Sequence, residues 1–250
     1  HSLVFLRPLG PDLFEAMWGP FLRDFEAHLD AKGWLGKCCV AMDERSPETM
    51  DAAIGLLRSA APGLGIAMAD NHASYKRYAD LDDVCVQIDC RVAGEDLARR
   101  RRDGLLTTYY VCCSSAFPNT FTFSEPWEAV YMAWFAAACG YDGMLRWSYN
   151  SWPADPVRDS RFTAWPAGDT YLVYPDARSS IRFERLREGI QDYEKIRILR
   201  GELASDNTPE GAAKRAELEA AVRPFEAHDP ARPWPDLLRR AKETVARLSE

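Results

Sequence analysis

Residues Val84–Cys113 read VCVQIDCRVAGEDLARRRRDGLLTTYYVCC. Two apolar runs, Val84–Asp89 and Leu105–Cys113, flank a polar stretch that reads as a helix around Glu95–Asp103. Short runs rich in Val, Ile, Thr and Tyr are how strands buried on both faces look in sequence. A helix between two such runs is the crossover that lets neighbouring strands run parallel. This strand–helix–strand unit sets the class as α/β.

The same rhythm extends outward. Upstream, Leu64–Asp70 (LGIAMAD) and Lys37–Asp43 (KCCVAMD) read as buried strands. Between them Ser46 caps, and Pro47 starts, a helix to about Ala61. Before these, Pro11 opens an amphipathic helix with Leu13, Met17, Phe21, Phe25 and Leu29 along one side, ended by Gly33. Leu3–Arg7 is a weak first strand. Downstream come a helix at Pro126–Cys139 and a strand at Gly143–Asn150. A helix at Ile181–Leu199 places Ile181, Leu186, Ile190, Tyr193, Ile196 and Leu199 on one side, with Arg185, Glu188 and Asp192 facing water. The C-terminal stretch, rich in Ala, Glu and Arg, reads as surface helices.

Such repetition fits a (β/α) barrel or a doubly wound sheet. No GxGxxG follows a strand, so dinucleotide binding has no support. A barrel needs eight strands, and five good ones and a weak one are in view. The expected fold is α/β, a TIM-type (β/α) barrel represented by its C-terminal portion, with a C-terminal helical extension. Residues 1–155 would carry the strand–helix repeats, and 156–250 a long loop and helices packed on the barrel.

Composition narrows the partners. Of 250 residues, 47% are hydrophobic and 28% charged, which suits a folded core and not a disordered chain. A net charge of −7 argues against nucleic acid as the main partner. No apolar run approaches the roughly 18 residues of a membrane span, and the N-terminus has no signal pattern. The seven cysteines are odd in number, and four stand in adjacent pairs (Cys38-Cys39, Cys112-Cys113). Neighbouring strand residues face opposite ways, so these read as small buried hydrophobes. Four scattered histidines and no CxxC spacing give no metal site, and no cofactor is expected. The Arg99–Arg102 run reads as a solvated face, and His72 as an exposed loop histidine.

In parallel α/β folds chemistry gathers at the C-terminal ends of strands. Those ends carry Asp43-Glu44, Asp70-Asn71-His72, Asp89 and the Trp147–Trp152 segment. A single carboxylate there also serves as a helix cap or loop ion pair. Asp43-Glu44 is different, because adjacent carboxylates at a buried strand end must be desolvated together, which raises a pKa. Neighbours seldom span a sugar ring as an ordinary glycosidase pair does. They do suit substrate assistance, in which a sugar's 2-acetamido oxygen attacks the anomeric carbon. One carboxylate then holds the acetamido N–H while the other protonates the leaving oxygen and later activates water. Trp147 and Tyr149 offer faces for sugar C–H groups, and Asn150 an amide for hydroxyls. Strand alternation would send Trp147 and Tyr149 to one face and Asn150 to the other unless the strand ends or bulges first.

The segment LRWSYNSWPADPVRDSRFTAWPAGDTYLVYPDARSSIRFERLREGIQDYEKIRIL (Leu145–Leu199) resembles the C-terminal signature of the DUF4091 domain family, relatives of glycoside hydrolase family 123. AMDER, TTYYVCC with PNTF, and EPWEAVYMAWFAAACGYDG are similar to that family's pattern, so the resemblance runs from about Trp34 to Leu199. It implies a (β/α) barrel, usually behind a β-sandwich, and a retaining β-N-acetylhexosaminidase preferring N-acetylgalactosamine. Asp43 would polarise the acetamido group and Glu44 would be the acid/base. Tyr110, Trp147, Tyr149 and Asn150 would meet the sugar, joined by Asp70, Asn71 and Asp89 at the strand ends. The partner would be an amino-sugar glycan, and the resemblance points to a periplasmic or secreted setting. Two alternatives stay open: a non-catalytic carbohydrate-binding remnant, and a glycosidase pairing Glu44 with Asp89 or Asp70.

Overall fold

The computed structural model describes residues 10–43, 45–161 and 164–250. The weak strand expected at Leu3–Arg7, and Glu44, lie outside the described residues. The remaining elements are α1 (Pro11–Ala31), β1 (Cys39–Met42), α2 (Pro47–Ala60), β2 (Gly65–Asp70), β3 (Asp83–Gln87), α3 (Gly94–Arg102), β4 (Leu106–Val111), α4 (Pro126–Cys139), β5 (Gly143–Arg146), α5 (Ile181–Ser205), α6 (Pro209–Val222) and α7 (Trp234–Leu248). The strands form one sheet in sequence order, β1-β2-β3-β4-β5, with β1 parallel to β2 and β4 parallel to β5. A doubly wound sheet reverses its strand order at a switch point. This order has no reversal, so the doubly wound alternative falls away.

The chain divides into two compact units, His1–Val84 with Arg99–Leu105, and Cys85–Ala98 with Leu106–Glu250. In the first, α2 starts as its sequence requires: Ser46 Oγ accepts from Thr49 N at 3.4 Å, with Pro47 behind it. The α2 face of Met50, Ile54 and Leu57 is buried, as are Ile66 and Met68 of β2. Gly65 opens β2 because a Cβ there would sit 3.2 Å from the Asp82 carboxylate, whose Oδ2 accepts from Ile66 N at 2.7 Å. Asp51 of α2 accepts from the Tyr78 hydroxyl at 2.5 Å and from Arg77 Nε at 3.1 Å, pinning the segment after β2.

Three expectations need correcting in this unit. β1 is half exposed, not a buried strand. Of the large apolar side chains of α1, Leu22 and Leu29 are buried, whereas Leu13, Met17, Phe21 and Phe25 are exposed. Their rings stack along the helix instead, Phe21 on Phe25 at 5.6 Å, as residues four apart can. Nor is the arginine run all solvated. Arg100 is fully buried and donates from Nη2 to Leu81 O at 3.0 Å. Its long stem carries the guanidinium inward to a carbonyl that would otherwise need a partner.

The second unit is built around α4. Its sequence is apolar on every side, and a helix of that kind must be covered all round. Residues 128–137 are all buried. Tyr109 of β4 donates its hydroxyl to Met132 O at 2.7 Å. Phe225 packs 5.0 Å from Trp134, and Trp234 4.7 Å from Tyr131, between ring centroids. Each such ring removed from water contributes roughly 1.5–3 kcal/mol. Helix α5 crosses α4 at Gly189, where a Cβ would sit 2.8 Å from Val130 O.

Here too the sequence reading shifts. Ile181 and Ile190 of α5 are exposed, while Asp192 is buried. The covered stripe runs through Leu186, Gly189, Asp192, Ile196 and Leu199 at helical spacing. Asp192 is tolerated there because Trp134 Nε1 donates to it at 3.1 Å and Lys242 Nζ lies at 2.7 Å. Helix α7 is no mere surface helix, since it buries Trp234, Leu238, Ala241, Val245 and Leu248. β5 ends at Arg146, short of Asn150. Of the seven cysteines Cys85 is buried, and the other six are partly or well exposed, not the buried hydrophobes expected.

Candidate active site

In the first unit, β1 and β2 bring Asp43 and Asn71 to one depression, lined also by Arg45, Met50, Met68 and His72. As bounded by the described residues its volume is about 10 Å³, room for a single water. The Asp43 side chain is 69% exposed, and Arg45 Nη1 stands 3.4 Å from its carboxylate. The paired desolvation expected of this strand end is therefore absent at Asp43. Asp70 closes β2. Ala73, two residues past Asn71, sits at φ 56°, an unusual backbone state for a residue with a side chain. His72 is exposed, as expected.

In the second unit, Asp89 follows β3 and its side chain is largely exposed. Gln87 Nε2 donates to Asp89 Oδ2 at 3.0 Å, and His228 Nε2 lies 2.8 Å from Oδ1. These contacts, with Gln87 foremost, hold the Asp89 carboxyl below its ordinary pKa. Tyr110 is buried in β4, and its carbonyl accepts from Ile88 N at 3.1 Å.

The segment after β5 answers the alternation problem. Once the strand has ended, consecutive side chains no longer alternate. Arg146 Nη2 lies 3.1 Å from Asp169 Oδ1, and Trp147 Nε1 donates to the same oxygen at 3.3 Å. Residues 148–151 pair instead with 170–172: Asn150 bridges Tyr171, Leu172 N donates to Tyr149 O at 2.8 Å, and Ser148 Oγ to Thr170 O at 2.8 Å. Trp147 meets Trp165 edge to face at 5.4 Å, both rings about 40% exposed. Tyr149 turns elsewhere, edge-on to Phe183 at 6.0 Å, in a groove of about 350 Å³ bounded by α4 and α5. The three expected sugar contacts are thus split. Trp147 forms a platform with Trp165, Tyr149 joins the groove, and Asn150 is exposed beside Tyr171.

Sequence reasoning missed Arg146, Asp169 and Trp165. Asp169 is fully buried, as is nearly all of the Arg146 side chain. Burial pushes the Arg146 guanidinium's pKa down from its ordinary value while Asp169 opposes the shift. The sequence offers only the Gly168-Asp169 pair inside GDTYLVYP, which reads equally as a turn; the structure adds that Gly168 sits at φ +83°.

The sequence matches the family description "Glycoside hydrolase 123, catalytic domain" over residues 3–199. The chain belongs to this family. No curated protein matches it in sequence. Among solved structures, a family 123 glycoside hydrolase from Clostridium perfringens, analysed for the details of glycolipid glycan hydrolysis, superposes with a TM-score of 0.79. The two are 25% identical, and the match covers 98% of this family 123 chain and 46% of the clostridial one. The chain therefore spans less than half the length of that relative. The family match takes in β1 to β5 and the Trp147–Asp169 lattice.

Proposed function

We propose that this chain carries the chemistry of a retaining, substrate-assisted β-N-acetylhexosaminidase, with N-acetylgalactosaminides as its preferred substrates. The supporting observation is the family match across residues 3–199, which includes the adjacent acids Asp43 and Glu44 directly after β1. In the proposed reaction the substrate's acetamido oxygen attacks the anomeric carbon. Glu44 gives a proton to the departing glycosidic oxygen, and Asp43 holds the acetamido N–H as positive charge builds on the oxazolinium ring. Glu44 then takes a proton from the incoming water, which opens the ring with retention. Trp147 and Trp165 provide the aromatic faces. Tyr110, Asp70, Asn71, Asp89, Tyr149 and Asn150 keep supporting roles as substrate contacts. The glycolipid glycan of the clostridial relative supports a glycan substrate, and the sheet order supports a barrel wall.

The decisive variant is Glu44→Gln. Hydrolysis of aryl N-acetylgalactosaminides with poor leaving groups falls by about 10²–10⁴-fold, the range of general acid–base catalysis. An undiminished Glu44→Gln enzyme removes the assignment. One observation favours a second reading: Asp43 is largely exposed, and the depression it borders among the described residues holds only about 10 Å³. A carbohydrate-binding module would then use the tryptophan platform alone, and would show sugar binding with no turnover at any pH.

A further inference from the structure

Asp169 is the most costly side chain in the second unit to explain. It has no exposed surface, and burying a carboxylate is expensive unless it is paired and hydrogen-bonded. Its side-chain hydrogen bonds all run through Oδ1, to Arg146 Nη2 at 3.1 Å and Trp147 Nε1 at 3.3 Å. Its Oδ2 makes no hydrogen bond among the described residues. Arg146 also reaches the Asp169 backbone carbonyl. The backbone beneath is fixed independently. Asp169 N donates to Pro166 O at 3.0 Å. Arg182 Nη1 donates to Gly168 O at 2.8 Å and to Thr120 O at 2.6 Å. Gly168 is required twice over, by its φ of +83° and because a Cβ would sit 2.8 Å from Thr122 N.

A rigid loop thus presents one carboxylate oxygen to the N–H of an indole whose ring is 39% exposed. The Trp147 N–H gives the buried carboxylate a second donor beside Arg146, and the same bond orients the indole. The Trp147 ring meets Trp165 edge to face, a contact that constrains χ1 and χ2 less than a directional hydrogen bond does. The hydrogen bond to Asp169 narrows that freedom and sets the plane on which a sugar face would lie. Preorganisation of this kind lowers the cost of binding.

We propose that Asp169 is a positioning residue for carbohydrate binding, setting the plane of Trp147 through the indole N–H while Arg146 balances its charge. This rests on the reading of Trp147 as a sugar face. Asp169 touches no substrate itself.

The test uses kcat and KM on an aryl N-acetylgalactosaminide for Trp147→Ala, Trp147→Phe, Asp169→Ala, Asp169→Asn and the double variant Trp147→Phe/Asp169→Ala. Trp147→Phe keeps a ring but no N–H, and its partly exposed position leaves folding intact. It raises KM by about three- to tenfold, the size of one hydrogen bond, with kcat changed less than about twofold. Asp169→Ala gives a similar KM, and Asp169→Asn, which keeps an oxygen for the indole, restores most of the affinity. The double variant is no worse than either single one, as a shared interaction requires. If Trp147→Ala raises KM but Trp147→Phe does not, the positioning role is overturned while the sugar face survives, whether or not the Asp169 variants fold. Additive effects in the double variant also overturn it. If Trp147→Ala leaves KM unchanged, the sugar face itself is lost, and the positioning role with it.

Discussion

The two strand mouths described here are built on opposite plans. After β1 and β2, Asp43 stands largely in solvent with one ion pair, beside a depression no larger than a water. After β5, Asp169 and Arg146 are sealed from solvent, and the chain around them is fastened by paired backbone and side-chain hydrogen bonds. The contrast teaches that acids near two strand ends of one chain can be solvated or sealed. Under the proposed function, Asp43 would meet the substrate's acetamido group and gains from an open mouth. A group that fixes a surface gains from burial, where each hydrogen bond is stronger.

Breaking the comparison starts at Asp43. Asp43→Asn lowers the hydrolysis rate by about 10²–10³-fold, the effect of losing one electrostatic stabiliser of a charged transition state. Stability shifts by no more than about 0.5 kcal/mol, as for other exposed positions. Steady-state kinetics and denaturant melts on one preparation check both halves. A large stability loss would mean that Asp43 is structural.

The second unit should behave in the reverse way. Gly189→Ala places a Cβ against Val130 O and overpacks the α4–α5 crossing, costing about 1–3 kcal/mol by the usual penalty for added core volume. Asp192→Ala strips the buried Trp134 N–H of its acceptor and Lys242 of a partner. That costs about 1–3 kcal/mol. Urea midpoints report both losses, and kcat per folded molecule stays within about twofold, since neither residue lies in the proposed chemistry.

The smallest effect is on the acid side. Asp89 has its carboxyl held below the ordinary value of 3.8 by Gln87 first and His228 next. A lowered folded-state pKa gives stability that is present above the ordinary value and is lost as pH falls through the folded one. Gln87→Ala should therefore lower stability more at neutral pH than once Asp89 is protonated in both proteins, the remaining loss at the acid end coming from the Gln87 bonds to Asp89 N and Ser115 Oγ. Melts from neutrality down to the acid range test this. A stability difference that does not change with pH contradicts it.

Much of the fold was legible because its signals are local. Val84–Cys113 carries its strand–helix–strand pattern within thirty consecutive residues, close to the observed β3, α3 and β4. Ser46-Pro47 marked the start of α2, and Pro126–Cys139 matched α4 because Pro opens it and Gly140 closes it at φ +70°. The errors fall where a partner is remote in sequence. Asp192 reads as a water-facing residue until Trp134 and Lys242 are placed beside it. Arg100 hides in a run of four arginines, and its burial beside the Leu81 carbonyl shows only once the fold is formed. The apolar run to Asn150 overstates β5, which ends at Arg146 because Asn150 pairs with Tyr171 and not with a strand neighbour. Of the candidate site, the strand-end acids were readable from position. The Asp169 lattice was not, since nothing local distinguishes a buried acid from a turn residue.

The central claim is that the substrate's own acetamido oxygen attacks the anomeric carbon, with Asp43 and Glu44 assisting. The most direct measurement compares the wild-type rate on aryl 2-acetamido glycosides with rates on mono-, di- and trifluoroacetamido analogues. Each fluorine draws electrons from that oxygen and weakens it as a nucleophile. The account predicts a steep, progressive fall in kcat/KM across the series. A rate indifferent to fluorination, or comparable cleavage of a sugar with a 2-hydroxyl in place of the amide, would contradict it.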